Sequence, residues 1–283
     1  MDGRYVDVDG IKTYYIEQGK GSALVLFHGG AVGVTAESAF FRQIEGLSDQ
    51  FRVIAFDQYC FGRTDMPKDG KLRNRLARVD HALAFLKAIG VSRAALAGHS
   101  EGGFMVVKMA LENPDLVSHL IIMCSGGTAP VLGGDADKAW VDAATKAYSY
   151  YSDALTEDQF VEVKRRGYRV FDSRLEQIIR ANYRRAVETG EAEIFRHLPI
   201  EETDQFLFTK LQKVHLEPYL DQIKCPTMLI WASDDATVPV ARGVKLREQL
   251  PHADFHVLAN SGHPVMHDRA DGVNDLLRSF CSK

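Results

Sequence analysis

The stretch LAGHSEGGFMV, residues 96–106, places one serine between two glycines where an apolar segment gives way to another. Ser100 and its flanking glycines, Gly98 and Gly102, fit the pattern G-x-S-x-G, in which a sharp strand-to-helix turn lifts the serine hydroxyl clear of a sheet. Side chains at the two glycine positions would collide with the neighbouring strand or helix. The stretch therefore predicts a strand, a strained turn and a helix, with Ser100 as a candidate nucleophile.

The segments around this turn alternate between strand and helix patterns. Short apolar runs typical of buried parallel strands occupy residues 23–28, 52–57, 93–99, 119–124 and 227–232. Helical patterns occupy 73–90 and 102–114, and a hairpin is predicted about Asp9 and Gly10. This alternation predicts an α/β fold, with a mostly parallel sheet flanked by helices.

The alternation is interrupted between residues 130 and 224. This stretch is helical in pattern, is rich in Arg, Lys, Glu and Tyr, and lacks a buried-strand run. We interpret residues 1–129 and 225–283 as the α/β core and 130–224 as an inserted helical lid, the name used below for this segment.

A serine hydroxyl becomes a good nucleophile only when a base takes its proton, and that base needs an acid partner. In this architecture the chain order is serine, acid, histidine. SDDATVP follows the predicted strand 227–232, and NSGHPV follows the last strand pattern. These positions predict His263 as the base and Asp235 as the acid, with Asp234 left open as an alternative.

Acyl chemistry also needs N–H groups aimed at the developing oxyanion. One predicted donor is the backbone N–H of Glu101, which directly follows the serine. The other comes from HGG at residues 28–30, where the N–H of Gly30 is preferred and that of Ala31 is the alternative. The Glu101 carboxylate itself is explained by its favourable position at a helix N-terminus.

The composition limits the classes of binding partner that we expect. A net charge of −4 and a charged content of 25% give no reason to expect nucleic acid or an anionic membrane. The N-terminus lacks a signal-peptide pattern, and four widely spaced cysteines form no metal-ligand pattern. We expect a cytoplasmic protein with reduced thiols, no cofactor and no metal. Its expected partner is a small-molecule substrate, and a homo-oligomer stays open.

Five motifs in order resemble the α/β-hydrolase fold superfamily over nearly the whole chain. They are HGGAVGVTAESAFFRQI (28–44), RVIAFDQYCFGRTDMP (52–67), GHSEGG (98–103), SDDATVP (233–239) and SGHPVMHDRADGVNDLLRSF (261–280). Within this superfamily the chain is most similar to the meta-cleavage-product hydrolases. This resemblance implies cleavage of a C–C bond in dienol-diketo acids from aromatic ring degradation.

The resemblance also implies which positions surround the substrate. Where that family places Asn, Trp and a second Asn, this chain has Ala39, Pro264 and His99, and Glu101 replaces the usual Met. A lid arginine that binds the substrate carboxylate is implied. Arg180, Arg184 and Arg185 are the candidates, with Arg180 and Arg184 preferred. The predicted pocket residues are Ala31, Ala39, His99, Tyr148, Tyr151, Arg180, Arg184, Val238 and Pro264.

These departures, and a GHSxGG turn common among esterases and lactonases, favour a serine hydrolase that cleaves a small, partly apolar ester or lactone. C–C bond hydrolysis of a dienol-diketo acid is the alternative within the same class. A slow-turnover ligand receptor on the same fold is the alternative outside enzymes.

Overall fold

A computed structural model describes residues 1–148, 155–198 and 209–282. Tyr151 lies outside these residues, and so does the side chain of Tyr148. Within them, one sheet contains the strands β1 (Arg4–Val8), β2 (Ile11–Gln18), β3 (Ala23–Phe27), β4 (Arg52–Phe56), β5 (Ala94–His99), β6 (Val117–Met123), β7 (Thr227–Ala232) and β8 (Asp254–Leu258).

The sheet has the strand order β1-β2-β4-β3-β5-β6-β7-β8. β1 and β2 form the predicted hairpin, β2 also pairs antiparallel with β4, and the remaining pairs are parallel. Every residue of β5 and β7 is buried, because helices cover both faces of a parallel sheet. The predicted α/β fold, with a mostly parallel sheet flanked by helices, is confirmed.

Helices connect the strands and flank the sheet. They are α1 (Ala36–Leu47), α2 (Arg75–Ala88), α3 (Glu101–Glu112), α4 (Asp135–Tyr148), α5 (Glu157–Arg165), α6 (Ser173–Glu188), α7 (Glu191–Arg196), α8 (Lys210–His215), a 3₁₀ helix (Glu217–Gln222), α9 (Val240–Gln249), α10 (Val265–Asp268) and α11 (Ala270–Cys281). Within the described ranges, none is long and apolar enough to cross a membrane.

Local sequence signals explain where two of the core helices begin. The Thr35 hydroxyl accepts a hydrogen bond from Ser38 N, and the Ser38 hydroxyl accepts one from Thr35 N, which forms a reciprocal cap on α1. The Asn74 side chain accepts a hydrogen bond from Ala77 N at the start of α2. These caps satisfy N–H groups that have no partner inside the helix.

The helices α4 to α8 lie in the chain between β6 and β7, within the predicted lid. An apolar cluster joins lid residues such as Phe160 and Ile179 to Phe41 and Phe61 of the core. Burial of this cluster supplies a hydrophobic contribution to lid docking. The lid boundaries at residues 130 and 224 stay a prediction.

Polar contacts add to this docking. Glu191 at the start of α7 is buried, and its carboxylate accepts hydrogen bonds from Gly33 N at 2.7 Å and from Gly62 N at 3.3 Å. Burial raises the pKa of Glu191 to about 7. Arg174 Nη2 and Glu45 Oε1 form an ion pair at 2.7 Å. Because both side chains are exposed, this pair contributes little to the stability of lid docking.

We predict opposite effects of two glycine-to-alanine changes on stability. A Cβ at Gly102 would overlap the Phe27 carbonyl and lie 2.8 Å from the His28 carbonyl oxygen, so Gly102→Ala must displace α3 from β3. It should lower the free energy of unfolding by about 1–3 kcal/mol. In contrast, Gly272→Ala meets only Leu258 Cδ1 at 3.9 Å and should stabilise α11 by about 1 kcal/mol. Urea unfolding of both variants measures the difference, and a neutral Gly102→Ala would contradict it.

Candidate active site

Ser100 occupies the turn between β5 and α3 with a backbone φ of 54°. Its N–H donates to the Met123 carbonyl at 2.9 Å, and its own carbonyl accepts from the Ser125 hydroxyl at 2.6 Å. A Cβ at Gly98 would lie 2.7 Å from Gly103 N, so only glycine fits there. A positive φ at a residue other than glycine stores about 1–3 kcal/mol of strain. The two backbone hydrogen bonds of Ser100 offset this strain.

The glycine turn that follows β3 lies against this serine. A Cβ at Gly29 would be 2.9 Å from Ser100 Cβ and 3.4 Å from Ser100 Oγ. The His28 ring donates from Nδ1 to the Gly29 carbonyl at 2.7 Å. C=O and N–H point in opposite directions across a trans peptide, so this bond directs the N–H of Gly30 away from His28.

His263 and Asp235 form a hydrogen-bonded pair. His263 Nδ1 lies 2.7 Å from Asp235 Oδ2, and Asp235 Oδ1 accepts from the N–H groups of Thr237 and Val238, both at 2.9 Å. Burial alone would raise the pKa of Asp235, but His263 and these hydrogen bonds hold it below its usual value. His263 Nε2 is buried and has no hydrogen-bond partner among the described residues.

Asp234 is placed differently. Its carboxylate accepts from the Ser233 hydroxyl and lies 3.6 Å from an Arg169 guanidinium nitrogen, and it is exposed. The structure therefore brings Asp235, and not the alternative Asp234, to His263.

Ser100 and His263 line one cavity of about 170 Å³ at the carboxyl ends of the strands. Core residues on its wall are Gly29, Gly30, Ala31, Val34, Ser38, Ala39, His99, Thr237, Pro264, Met266 and His267. Lid residues on its wall are Val163, Lys164, Gly167 and Tyr168. The described lining is largely apolar, which suits a small, partly apolar substrate.

Four of the predicted pocket residues, Ala31, Ala39, His99 and Pro264, do line this cavity. Val238 does not. Its N–H donates to Asp235 and its carbonyl accepts from Trp231 Nε1 at 3.0 Å, so Thr237 takes the place predicted for it. The predictions for Tyr148 and Tyr151 depend on side chains outside the described part of the structure.

The two lid arginines are also not where the sequence analysis predicted. Arg180 pairs with Asp158 at 2.6 Å and with Glu176 at 2.9 Å. Arg184 pairs with Glu157 at 2.6 Å. These acidic side chains hold both guanidinium groups on the lid surface, away from the cavity.

The lid instead contributes Lys164, which the sequence analysis missed. Lys164 follows the buried residues Phe160 and Val161 by four and three positions, so it shares their inward face of α5. Its Nζ lies 5.1 Å from the Phe160 ring centroid. Burial lowers the pKa of Lys164 to about 7, against the opposing influence of Glu191. The helical spacing from Phe160 was the signal that could have found it.

Two further histidines on the cavity wall have fixed roles as donors. His99 Nε2 donates to the His263 carbonyl at 2.8 Å, and His267 Nε2 donates to the Ser38 carbonyl at 2.8 Å. Burial and the adjacent His263 lower the pKa of His99 to about 3, and burial lowers that of His267 to about 4. Both rings are therefore neutral near pH 7.

Asp268 joins the loop of His263 to the lid. Its Oδ2 accepts from Gly262 N at 2.8 Å, while Oδ1 accepts from Arg169 N at 2.8 Å and Val170 N at 3.0 Å. One buried carboxylate thus holds the residue before the histidine and the lid segment that carries Tyr168.

The Glu101 side chain points away from the cavity wall and forms a buried ion pair with Arg78, at 2.9 Å. The ion pair with Arg78 and the position at a helix N-terminus together explain why residue 101 carries a carboxylate. Among the described residues, no group of three or more His, Cys, Asp or Glu side chains is arranged to hold a metal ion.

In chemical terms, the site combines a strained serine, an imidazole paired with a buried carboxylate, and backbone N–H groups beside the serine. Such a set can form and hydrolyse an acyl intermediate at a carbonyl carbon.

The comparisons with known proteins agree with this architecture. The family model described as "alpha/beta hydrolase fold" matches residues 22–270. The 2-hydroxy-6-oxo-6-(2'-aminophenyl)hexa-2,4-dienoic acid hydrolase of Metapseudomonas resinovorans is 25% identical over 99% of this chain and 91% of that protein. The 2-hydroxy-6-oxo-6-phenylhexa-2,4-dienoate hydrolase of Burkholderia cepacia is 29% identical over 93% of this chain and 89% of its own length.

A solved structure of a meta-cleavage product hydrolase from Pseudomonas fluorescens IP01 is similar over 99% of this chain and 97% of that chain. Its TM-score is 0.83 at 23% sequence identity, which shows a shared fold.

We predict that the two adjacent aspartates respond differently to loss of charge. Asp235→Asn removes the carboxylate from His263 and should lower kcat by about 10³–10⁴-fold, as in other triads. Asp234→Asn is the matched control and should leave kcat within about threefold, because exposed charges contribute little. Steady-state hydrolysis of p-nitrophenyl butyrate measures both, and a larger loss in Asp234→Asn would reassign the acid.

Proposed function

The chain belongs to the alpha/beta hydrolase fold family, and from that premise we propose that Ser100, His263 and Asp235 act together in hydrolysis at a substrate carbonyl. The predicted superfamily, the resemblance to meta-cleavage-product hydrolases and the prediction of a serine hydrolase are confirmed by the family and by its named relatives. The receptor alternative is not retained, because these relatives are hydrolases.

In the proposed mechanism, His263 Nε2 takes the proton of Ser100 Oγ as that oxygen attacks the carbonyl carbon. Asp235 stabilises the imidazolium that forms, and the N–H groups of Gly30 and Glu101 donate to the oxyanion. His263 then gives its proton to the leaving group. Water, deprotonated by His263, releases the acyl group from Ser100.

For the substrate, we propose a small dienol-diketo acid whose C–C bond next to a ketone is cleaved. Such a substrate must first ketonise, so that the departing carbon leaves with an electron pair that the conjugated system accepts. It also carries a carboxylate into the cavity. The named relatives, which are hydrolases of dienoic acids, support this choice.

The position of Lys164 on the cavity wall is the observation that best supports an acidic substrate. A carboxylate in a largely apolar cavity is costly unless a cation or amide accompanies it. Lys164 lines the cavity on the lid side, whereas Arg180 and Arg184 do not line it and pair with acidic side chains of the lid. With a pKa of about 7, its protonated fraction rises as pH falls through neutrality.

An ester or lactone is the second candidate. Ala39 and Pro264 put apolar groups where meta-cleavage-product hydrolases are expected to have Asn and Trp, and both line the cavity. An uncharged substrate would leave fewer buried polar groups unpaired there.

We predict that Lys164 matters for an acidic substrate and not for a neutral one. Lys164→Met should lower kcat/KM for a phenyl dienol-diketo acid by about tenfold to a hundredfold, the range of a charged hydrogen bond. The same change should alter kcat/KM for p-nitrophenyl butyrate by less than about threefold. Arg180→Met is the matched control, because its guanidinium pairs on the lid surface.

The pH profile gives an independent check. The cation is present below the pKa and is lost as pH rises through about 7, so kcat/KM for the acid should fall above pH 7 relative to the ester. Suppose that kcat/KM of the wild type were a hundredfold higher for the ester and that Lys164→Met altered kcat/KM for neither substrate. The ester or lactone candidate would then replace the C–C proposal.

A further inference from the structure

The ion pair between Arg78 of α2 and Glu101 of α3 lies deep in the core beside the candidate oxyanion site. The two side chains are 1% and 11% exposed, and Arg78 Nη2 donates to Glu101 Oε2 at 2.9 Å. Removing two charges from water is costly, so a buried pair of this kind is weak evidence for stability. Its position calls for another explanation.

A continuous set of hydrogen bonds leads from this pair to the glycine turn. Arg78 Nη1 donates to Gln58 Oε1 at 3.4 Å, and Gln58 Nε2 donates to the His28 carbonyl at 2.6 Å. Gln58 N donates to His28 Nε2 at 3.0 Å, which leaves the ring proton on Nδ1. That proton is donated to the Gly29 carbonyl at 2.7 Å.

The other end of the network touches the same turn. A Cβ at Gly30 would overlap the Glu101 carboxylate and lie 2.6 Å from its Cδ, so the turn rests directly on this side chain. Glu101 is also the first residue of α3, and its own N–H is the second proposed oxyanion donor. Both donor segments are therefore in contact with the same charged pair.

The charges of the network suit this location. An isolated carboxylate here would oppose a developing oxyanion. Burial raises the pKa of Glu101, but Arg78 and Arg75 outweigh that effect and lower it, so the carboxylate stays ionised beside positive partners. Burial lowers the pKa of His28 to about 4, which keeps this ring a neutral donor.

We propose that the Arg78–Glu101 pair, together with Gln58 and His28, positions the backbone N–H groups of Gly30 and Glu101 for the oxyanion. The inference rests on the proposed function. Arg78 and Gln58 do not line the cavity, so they act through the turn and not on the substrate. Oxyanion donors help most when they are held in place before the reaction, and an error of 1 Å can cost about a hundredfold in rate.

The test removes both charges of the pair together. The double variant Arg78→Met/Glu101→Met keeps apolar volume in the core and should fold, because replacing a buried pair by apolar groups is often neutral. We expect kcat for p-nitrophenyl butyrate to fall about tenfold to a hundredfold with KM within about twofold. Glu101→Gln, which keeps the shape of the side chain, is the second variant and should lose less activity. Because it leaves Arg78 without its anion, its Tm is measured together with kcat.

A tetrahedral inhibitor separates positioning from packing. Butylboronic acid adds to a reactive serine and resembles the oxyanion intermediate, so its Ki should rise by the same factor by which kcat falls. The matched control is Arg52→Met/Glu17→Met, which removes a half-buried pair of 2.8 Å that lies between β2 and β4. This control should change neither kcat nor Ki.

Two results would overturn the proposal. One is an unchanged kcat in the folded double variant. The other is a loss of activity that follows a lower Tm while Ki for the boronic acid stays constant, since packing alone explains that pattern. Ser100→Ala distinguishes a failure of this proposal from a failure of the proposed function. If it hydrolysed the ester as well as the wild type, the proposed function itself would fail.

Discussion

The positive φ of Ser100 is the constraint on which the rest of the site depends. The chain tolerates this conformation because the Met123 carbonyl and the Ser125 hydroxyl hold the backbone of the turn on the β6 side. Close packing of Gly102 on the carbonyl of Phe27 then sets the spacing between α3 and β3. That spacing brings the glycine turn after β3 against Ser100. The strained turn at Ser100 and the packing of Gly102 together fix the distance from the serine to the backbone of Gly30 and Glu101.

Most of the fold and the central polar groups could be predicted because each follows from a short local pattern. Ser100 directly follows β5, and Asp235 and His263 lie in the loops after β7 and β8, where the carboxyl ends of parallel strands meet at one edge of a sheet. The lid was harder to predict. Arg180 was assigned to the cavity because the family resemblance implies a lid arginine there, whereas acidic partners on another helix, Asp158 among them, hold it outside. Such contacts depend on how two helices pack, which no local pattern contains.

The electrostatic character of the cavity follows from neutral rings and few charges. The imidazoles of His28, His99 and His267 all have lowered pKa values, between about 3 and 4, so none contributes positive charge near pH 7. Each donates one hydrogen bond to a backbone carbonyl and thereby holds a loop. Charge around the candidate site therefore comes from the pair of His263 with Asp235, from Lys164 on the lid and from the buried Arg78–Glu101 pair beside the glycine turn.

Asp268 has a consequence for how sequences of this kind can diverge. Its carboxylate serves the backbone of Gly262 and of the lid residues Arg169 and Val170 at once. The bonds use backbone N–H groups, so the side chains at positions 169 and 170 can change while the path of the main chain there cannot. Exchange of lids between related enzymes would therefore tolerate new residues at these two positions. It would not tolerate an insertion or deletion at residues 167–170 unless position 268 changed with it.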